Sequence, residues 1–94
     1  GGYSGVIKVL WDAAEKKICK IVVQAQNLLE KFVFVGYYNK NTLEAVHFAV
    51  EPEPTAVQYA GLESLLAESL HACTGRRIEV HHVPQAQGAD FVQQ

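Results

Sequence analysis

Residues Thr55 to Val83 most limit what this chain can fold into, because they join an amphipathic helix, a Thr-Gly stop and a β-rich run in immediate succession. Leu62, Leu65, Leu66, Leu70 and Cys73 recur at the spacing of one face of a helix with roughly 3.6 residues per turn. Ala60, Ser64 and Ala67 form an adjacent stripe of small side chains, which lets another backbone come close. The helix is therefore expected to be buried on more than one side, with the rest of the chain packed against it. Thr55 with Gln58 has the form of a capping box. Gly75 stands where a left-handed residue closes a helix, and Arg76 and Arg77 follow beside its negative end. Ile78, Val80 and His82 then alternate along one face of a strand.

A chain of 94 residues supports one core, so residues 1–94 are expected to form a single α+β domain. No run approaches the roughly 18 apolar residues of a membrane span. A net charge of −2, with no dense cluster of Lys and Arg, disfavours tight nucleic-acid binding, which rests mostly on phosphate neutralisation. Cys19 and Cys73 have no metal-ligand or disulfide spacing and are read as reduced thiols, and no secretory signal is visible, so the expected location is cytoplasmic. The chain has no Met, and Gly1-Gly2 is read as a tag remnant or a domain cut.

Val6 to Trp11 is a short β-rich run. Asp12 and Glu15 then have the form of a helix start, and Ala14, Ile18, Ile21, Val22, Ala25, Leu28, Leu29 and Phe32 continue as a helical stripe, with Lys16, Lys17, Lys20 and Lys31 on a solvated face. Phe32 to Tyr38 and Leu43 to Val50 flank the turn residues Asn39 to Thr42 and are expected to form a hairpin, with Val46, Phe48 and Val50 on one face and Ala45, His47 and Ala49 on the other, an alternation that favours a strand over the short helix that Asn41 with Glu44 could also cap. Glu51-Pro52-Glu53-Pro54 breaks regular structure before the Thr55 helix. Pro84 to Gly88 reads as a turn, after which Ala89 to Gln94 either returns as an edge strand or frays. The expected order is β-α-β-β-α-β, with one further strand possible: an antiparallel-rich sheet with two helices on one face, ferredoxin-like or 4-vinyl-reductase-like.

Few residues invite chemistry. His81 and His82 are strand neighbours and point to opposite faces, so they do not chelate one metal together, and no nucleophile, metal or nucleotide motif is present. No catalytic residue, metal site or cofactor is assigned, and an enzyme is disfavoured. Trp11, His47 and Tyr59 are the candidate ligand contacts, each joining an apolar body to a polar handle. Core packing is the plainer reading of each of them. Ala60, Ser64 and Ala67 are the candidate interface.

The element order also fits the RNA-recognition motif, whose sheet stacks bases on aromatics. Here the aromatic-rich run Phe32 to Tyr38 falls on an edge strand rather than on the two strands that carry that signature. A different pattern is carried by LLEKFVFVGYY, EAVHFAVEP, YAGLESLLAESL, TGRRIEV and QAQGADF, from Leu28 to Phe91. It resembles the 4-vinyl-reductase-like domain related to the vesicle-tethering TRAPP subunits. The resemblance implies a small-molecule or acyl-chain pocket between sheet and helices and a helix-mediated dimer. Members often carry cysteines around the final turn, where this chain has Pro84, Gln85 and Phe91, so metal or redox chemistry is not carried over. The reading reached from sequence is a non-enzymatic small-molecule-sensing or protein-interaction module, dimeric or bound to a partner protein. The alternatives are a ferredoxin-like RNA-binding domain and an enzyme of apolar substrates with His47 as base.

Overall fold

Two hairpins, one helix and a closing strand make up the computed structural model, which describes residues 5–25 and 31–83. In chain order the elements are β1 (Gly5–Asp12), β2 (Lys17–Ala25), β3 (Lys31–Asn39), β4 (Thr42–Glu51), α1 (Ala56–Thr74) and β5 (Glu79–His82). β1 and β2 form one antiparallel sheet. β3, β4 and β5 form the other, in which β4 is central, antiparallel to β3 and parallel to β5. The fold is α+β with a mostly antiparallel sheet content, as expected. The expected β-α-β-β-α-β order and its pair of helices are not formed; the order is β-β-β-β-α-β, with one helix among the described residues.

The helix expected from Asp12 onward is β2 instead, and two local features explain the difference. The Asp12 carboxylate accepts the amides of Ala14 and Glu15 at 2.9 and 3.0 Å. Those bonds cap a tight turn as well as they cap a helix. Lys16, at φ 58°, then turns the chain back. The second feature is a register shift: Leu10 pairs with Lys20 and Trp11 with Ile18, so Cys19 is an extra residue on β2. This bulge puts Ile18 and Ile21 on the same side, where Ile21 is buried and Ile18 packs against the core, while Cys19 and Lys20 are exposed. A strand with a bulge thus carries a spacing that imitates a helix. Part of the expected helix and the expected Ala89 to Gln94 strand lie outside the described residues.

The β3–β4 hairpin forms as its alternation dictates. Val46, Phe48 and Val50 are buried beneath the helix, and the last pair, Asn39 with Thr42, encloses a two-residue turn. Lys40 and Asn41 both have positive φ, 51° and 67°, the conformation whose twist suits a two-residue hairpin. A bulge between Tyr37 and Tyr38 folds the Tyr38 ring back over Gly36. A Cβ at Gly36 would stand 3.1 Å from that ring and 3.2 Å from Leu43, so glycine makes the room. The Tyr38 hydroxyl then accepts the Ile18 amide at 3.2 Å, a polar tie between the two sheets.

Thr55 and Gln58 form the expected capping box at the start of α1, and Gly75, at φ 71°, closes its end by donating to the His71 carbonyl. Tyr59, Leu62, Leu66 and Leu70 are buried as a single stripe, and Leu65 is partly buried. Cys73 is exposed and Val57 is 62% exposed, so part of the helix surface is left uncovered by the described residues. The helix flank also contacts β1: the Ser69 hydroxyl donates to the Ile7 carbonyl at 3.3 Å and the Cys73 thiol reaches the Val9 carbonyl at 4.0 Å. An unbroken series of rings crosses the core from Phe32 to Phe48, Tyr59 and His82, at centroid spacings of 5.3, 5.8 and 4.1 Å. His82 also bonds Glu63 at 3.1 Å and so fastens β5 to the helix. Fully burying a Leu or Phe side chain contributes about 1.5–3 kcal/mol, so this one interface supplies most of the driving force for docking α1.

Candidate functional site

Both hairpin turns and the C-terminal end of α1 arrive at one corner of the molecule. Between them lies a cleft of about 310 Å³. Trp11 and Lys16 come from the β1–β2 hairpin, Asn41 and Thr42 from the β3–β4 turn, and Cys73, Thr74 and Arg76 from the end of the helix. The local structure of each turn exposes these groups. Lys16 and Asn41 sit at positive φ at their turns, and Arg76 follows the left-handed Gly75. Thr74 is fixed by its own backbone: its hydroxyl donates to the Leu70 carbonyl at 2.8 Å and accepts the Arg76 amide at 3.1 Å.

The cleft is chemically lopsided. It has two cationic side chains, Lys16 and Arg76, the amide and hydroxyl groups of Asn41 and Thr42, and the half-buried indole of Trp11, while none of its lining residues is acidic. Such a lining is complementary to an anion attached to an apolar or planar body.

The three candidate ligand contacts are not brought together. Trp11 lines the cleft. Tyr59 is 2% exposed, with its ring between Phe48 and His82 and its hydroxyl accepting the Val50 amide at 3.3 Å. Burial pushes the Tyr59 phenol above its ordinary value; the Val50 amide opposes the rise and the Glu53 carboxylate adds to it. His47 lies on the face of the β3–β4–β5 sheet opposite the helix, 4.6 Å from the Tyr37 ring and 5.6 Å from that of His81. His81 and His82 do point to opposite faces, one toward His47 and the other toward Tyr59. Of the candidate interface residues, Ala60 and Ser64 are exposed and Ala67 is half-buried.

The space between helix and sheet, where the resemblance implied a pocket, is filled by Phe48, Leu62, Leu66 and Leu70, each fully buried. Lys16, Asn41, Thr74 and Arg76 escaped the sequence reading as site residues because each belongs to a turn or a helix end. Only the tertiary fold makes them neighbours. The turn signals at Asn39 to Thr42 and at Gly75 were visible, but nothing in them says that they meet.

Among the described residues no three His, Cys, Asp or Glu side chains cluster as a ready-made metal centre, and no helix is long and apolar enough to cross a membrane. No curated protein and no solved structure matches the chain. A family model described as the TP0910 C-terminal domain matches residues 2–93, nearly the whole sequence. The chain belongs to the TP0910 C-terminal domain family.

Proposed function

We propose that this domain is a non-enzymatic sensing module that binds a small anionic ligand with a planar or apolar body in the cleft beside Trp11. The observation that carries the reading is the convergence of Lys16 and Arg76 on a half-buried indole with no carboxylate in the lining. An anion there gains charge-assisted hydrogen bonds and its body gains contact with the ring. Trp11 is the sole tryptophan of the chain, so its emission reports occupancy directly. A panel of aromatic carboxylates and nucleoside monophosphates titrated against Trp11 fluorescence should contain at least one that changes the emission and saturates. Arg76→Ala should then weaken that ligand about tenfold or more, the loss of one charged hydrogen bond of about 1.5–3 kcal/mol. A panel that leaves the emission untouched sinks the proposal.

One observation favours the RNA-binding alternative. Tyr37, His47 and His81 lie side by side across β3, β4 and β5 on the sheet face the helix leaves open. Bases stack on such faces in sheet-based RNA binders. The two readings separate by site. Single-stranded RNA held on the rings would be lost on Tyr37→Ala and weaken steeply with added salt, whereas the cleft ligand would be insensitive to Tyr37.

A further inference from the structure

Sequence neighbours His81 and His82 diverge, but His81 meets a histidine from far away in the chain. His47 and His81 are Cα partners in the parallel β4–β5 ladder. Adjacent strands run about 4.7–4.9 Å apart, so in-register side chains on one face stand side by side. Their ring centroids are 5.6 Å apart, edge to face. Two imidazoles bound to one ion through nitrogens at about 2.0–2.1 Å place their ring centres about 5 Å apart at a tetrahedral angle. The existing spacing needs little more than a turn of the rings, and the His81 side chain is 56% exposed, which leaves it room to turn.

Two neighbours prepare the pair. The Tyr37 ring packs on His47 at 4.6 Å and restricts its orientation. Glu79, two positions before His81 on the same strand face, brings a carboxylate oxygen within 3.7 Å of His81 Nε2. That separation is an ion-pair distance and not a hydrogen bond, and it places the Glu79 carboxylate beside the His81 ring, where an outer carboxylate can orient a metal-bound imidazole.

We infer that His47 and His81 form a two-imidazole site for a borderline divalent cation of the zinc and nickel type, with Glu79 as the positioning carboxylate and water completing the coordination. Imidazole nitrogens select ions of this class over magnesium or calcium, which take oxygen ligands. The site lies on the sheet face opposite α1, away from the cleft beside Trp11, and is independent of any ligand there. An ion bridging β4 and β5 also binds the folded chain in preference to the unfolded one, and so raises the melting temperature with its concentration.

Zinc ion is the probe, in calorimetry and in a two-dimensional spectrum of the imidazole signals. Zinc should shift the His47 and His81 ring signals and leave those of His71 and His82 in place. His47→Gln and His81→Gln should each lower zinc affinity by more than about tenfold, a larger loss than Glu79→Gln, whose outer-shell role places it near the low end of the usual 10–100-fold range. His82→Gln, on the other face, should leave zinc affinity unchanged. Zinc that fails to bind, shifts all four histidines alike, or binds the His47→Gln and His81→Gln chains as well as the parent overturns the site. The spectrum of the unaltered chain decides the matter even where a His47 variant misfolds.

Discussion

The two hairpins of this domain are built from similar material and were unequally legible. Both have an apolar strand, a turn and a second apolar strand. In the β3–β4 hairpin the inward face alternates without interruption through Val46, Phe48 and Val50, and the turn is two residues long. In the β1–β2 hairpin a four-residue turn is capped by Asp12, and the bulge at Cys19 interrupts the alternation. Both hairpins carry a bulge, but in β3–β4 it falls near the turn and the period of two survives from Ala45 to Val50, whereas in β1–β2 it falls between the inward residues Ile18 and Ile21, which is the difference between a strand that announces itself and one that passes for a helix. The difference also predicts where stability resides. A central strand buried beneath α1 should tolerate truncation less than β2, on which Ile21 keeps 7% exposure.

Phe48→Ala is the largest test of that contrast. Phe48 is fully buried and touches Phe32 and Tyr59, so its truncation should cost about 3–5 kcal/mol in a denaturant melt. Ile21→Ala on β2 should cost nearer about 2 kcal/mol, the low end for such a change, because Ile21 sits at the rim of the same core. Equal costs would mean that the β1–β2 hairpin is as much a part of the core as β4, and the contrast would fail.

How far the sequence spoke follows the same division. The capping box at Thr55, the left-handed Gly75, the Leu62–Leu66–Leu70 stripe and the β3–β4 hairpin were all visible, because each is set by residues close in sequence. The β2 strand was not, since Asp12 and Glu15 satisfy a turn and a helix start alike, and the bulge counterfeits the helical period. The cleft was legible only through Trp11. Of its cations, Lys16 read as part of a solvated face and Arg76 as a charge beside the negative end of the helix, until the turns that hold them were brought together. Tyr59 had the polar handle of a ligand contact, but that handle is used inside the protein, on the Val50 amide.

Tyr59→Phe sharpens the comparison from the helix side. It leaves the aromatic series intact and removes the acceptor for the Val50 amide, at a cost of about 1 kcal/mol, the low end for a buried donor because the bond is long. The phenol also gives the parent chain a pH signature. Its value is raised in the folded state, so the folded chain keeps the proton where the unfolded chain, at the ordinary value of 10.0, releases it. The contribution of Tyr59 is therefore fully present below pH 10 and is lost as pH rises through the folded value. In paired alkaline melts the parent should lose stability over that range faster than Tyr59→Phe. Parallel curves would mean that the hydroxyl is not buried as described.

Asp12→Ala probes the turn that misled the sequence reading. Two amides lose their acceptor, but both are exposed and water replaces it, so the cost should be about 0.5–1 kcal/mol, confined to the β1–β2 hairpin. Hydrogen exchange should speed up at Ala14 and Glu15 and leave the Lys40–Asn41 turn unchanged. A loss spread evenly over both hairpins would show that they fold as one unit rather than two.

Tyr38→Phe carries the smallest expected effect and the most direct bearing on how the two sheets are joined. The Tyr38 hydroxyl is the acceptor for the Ile18 amide, from the end of β3 to the start of β2, and the ring reaches it only because Gly36 leaves space. The bond is exposed, so its loss should cost about 0.5 kcal/mol or less in global stability. The local consequence is larger than the global one: the Ile18 amide loses its partner at the strand end next to the cleft turn, and its hydrogen exchange should accelerate while the Phe48 and Val50 amides stay protected. Gly36→Ala should give the same exchange pattern by another route, since its Cβ, 3.1 Å from the Tyr38 ring, displaces the hydroxyl rather than removing it. If both substitutions loosen Ile18 alone, one tyrosine hydroxyl sets the approach of the hairpins, and with it the separation of Lys16 from Asn41 across the cleft. If neither does, packing of Ile18 and Ile21 against the core holds the β1–β2 hairpin in place, and the bulge that disguised β2 is also what anchors it.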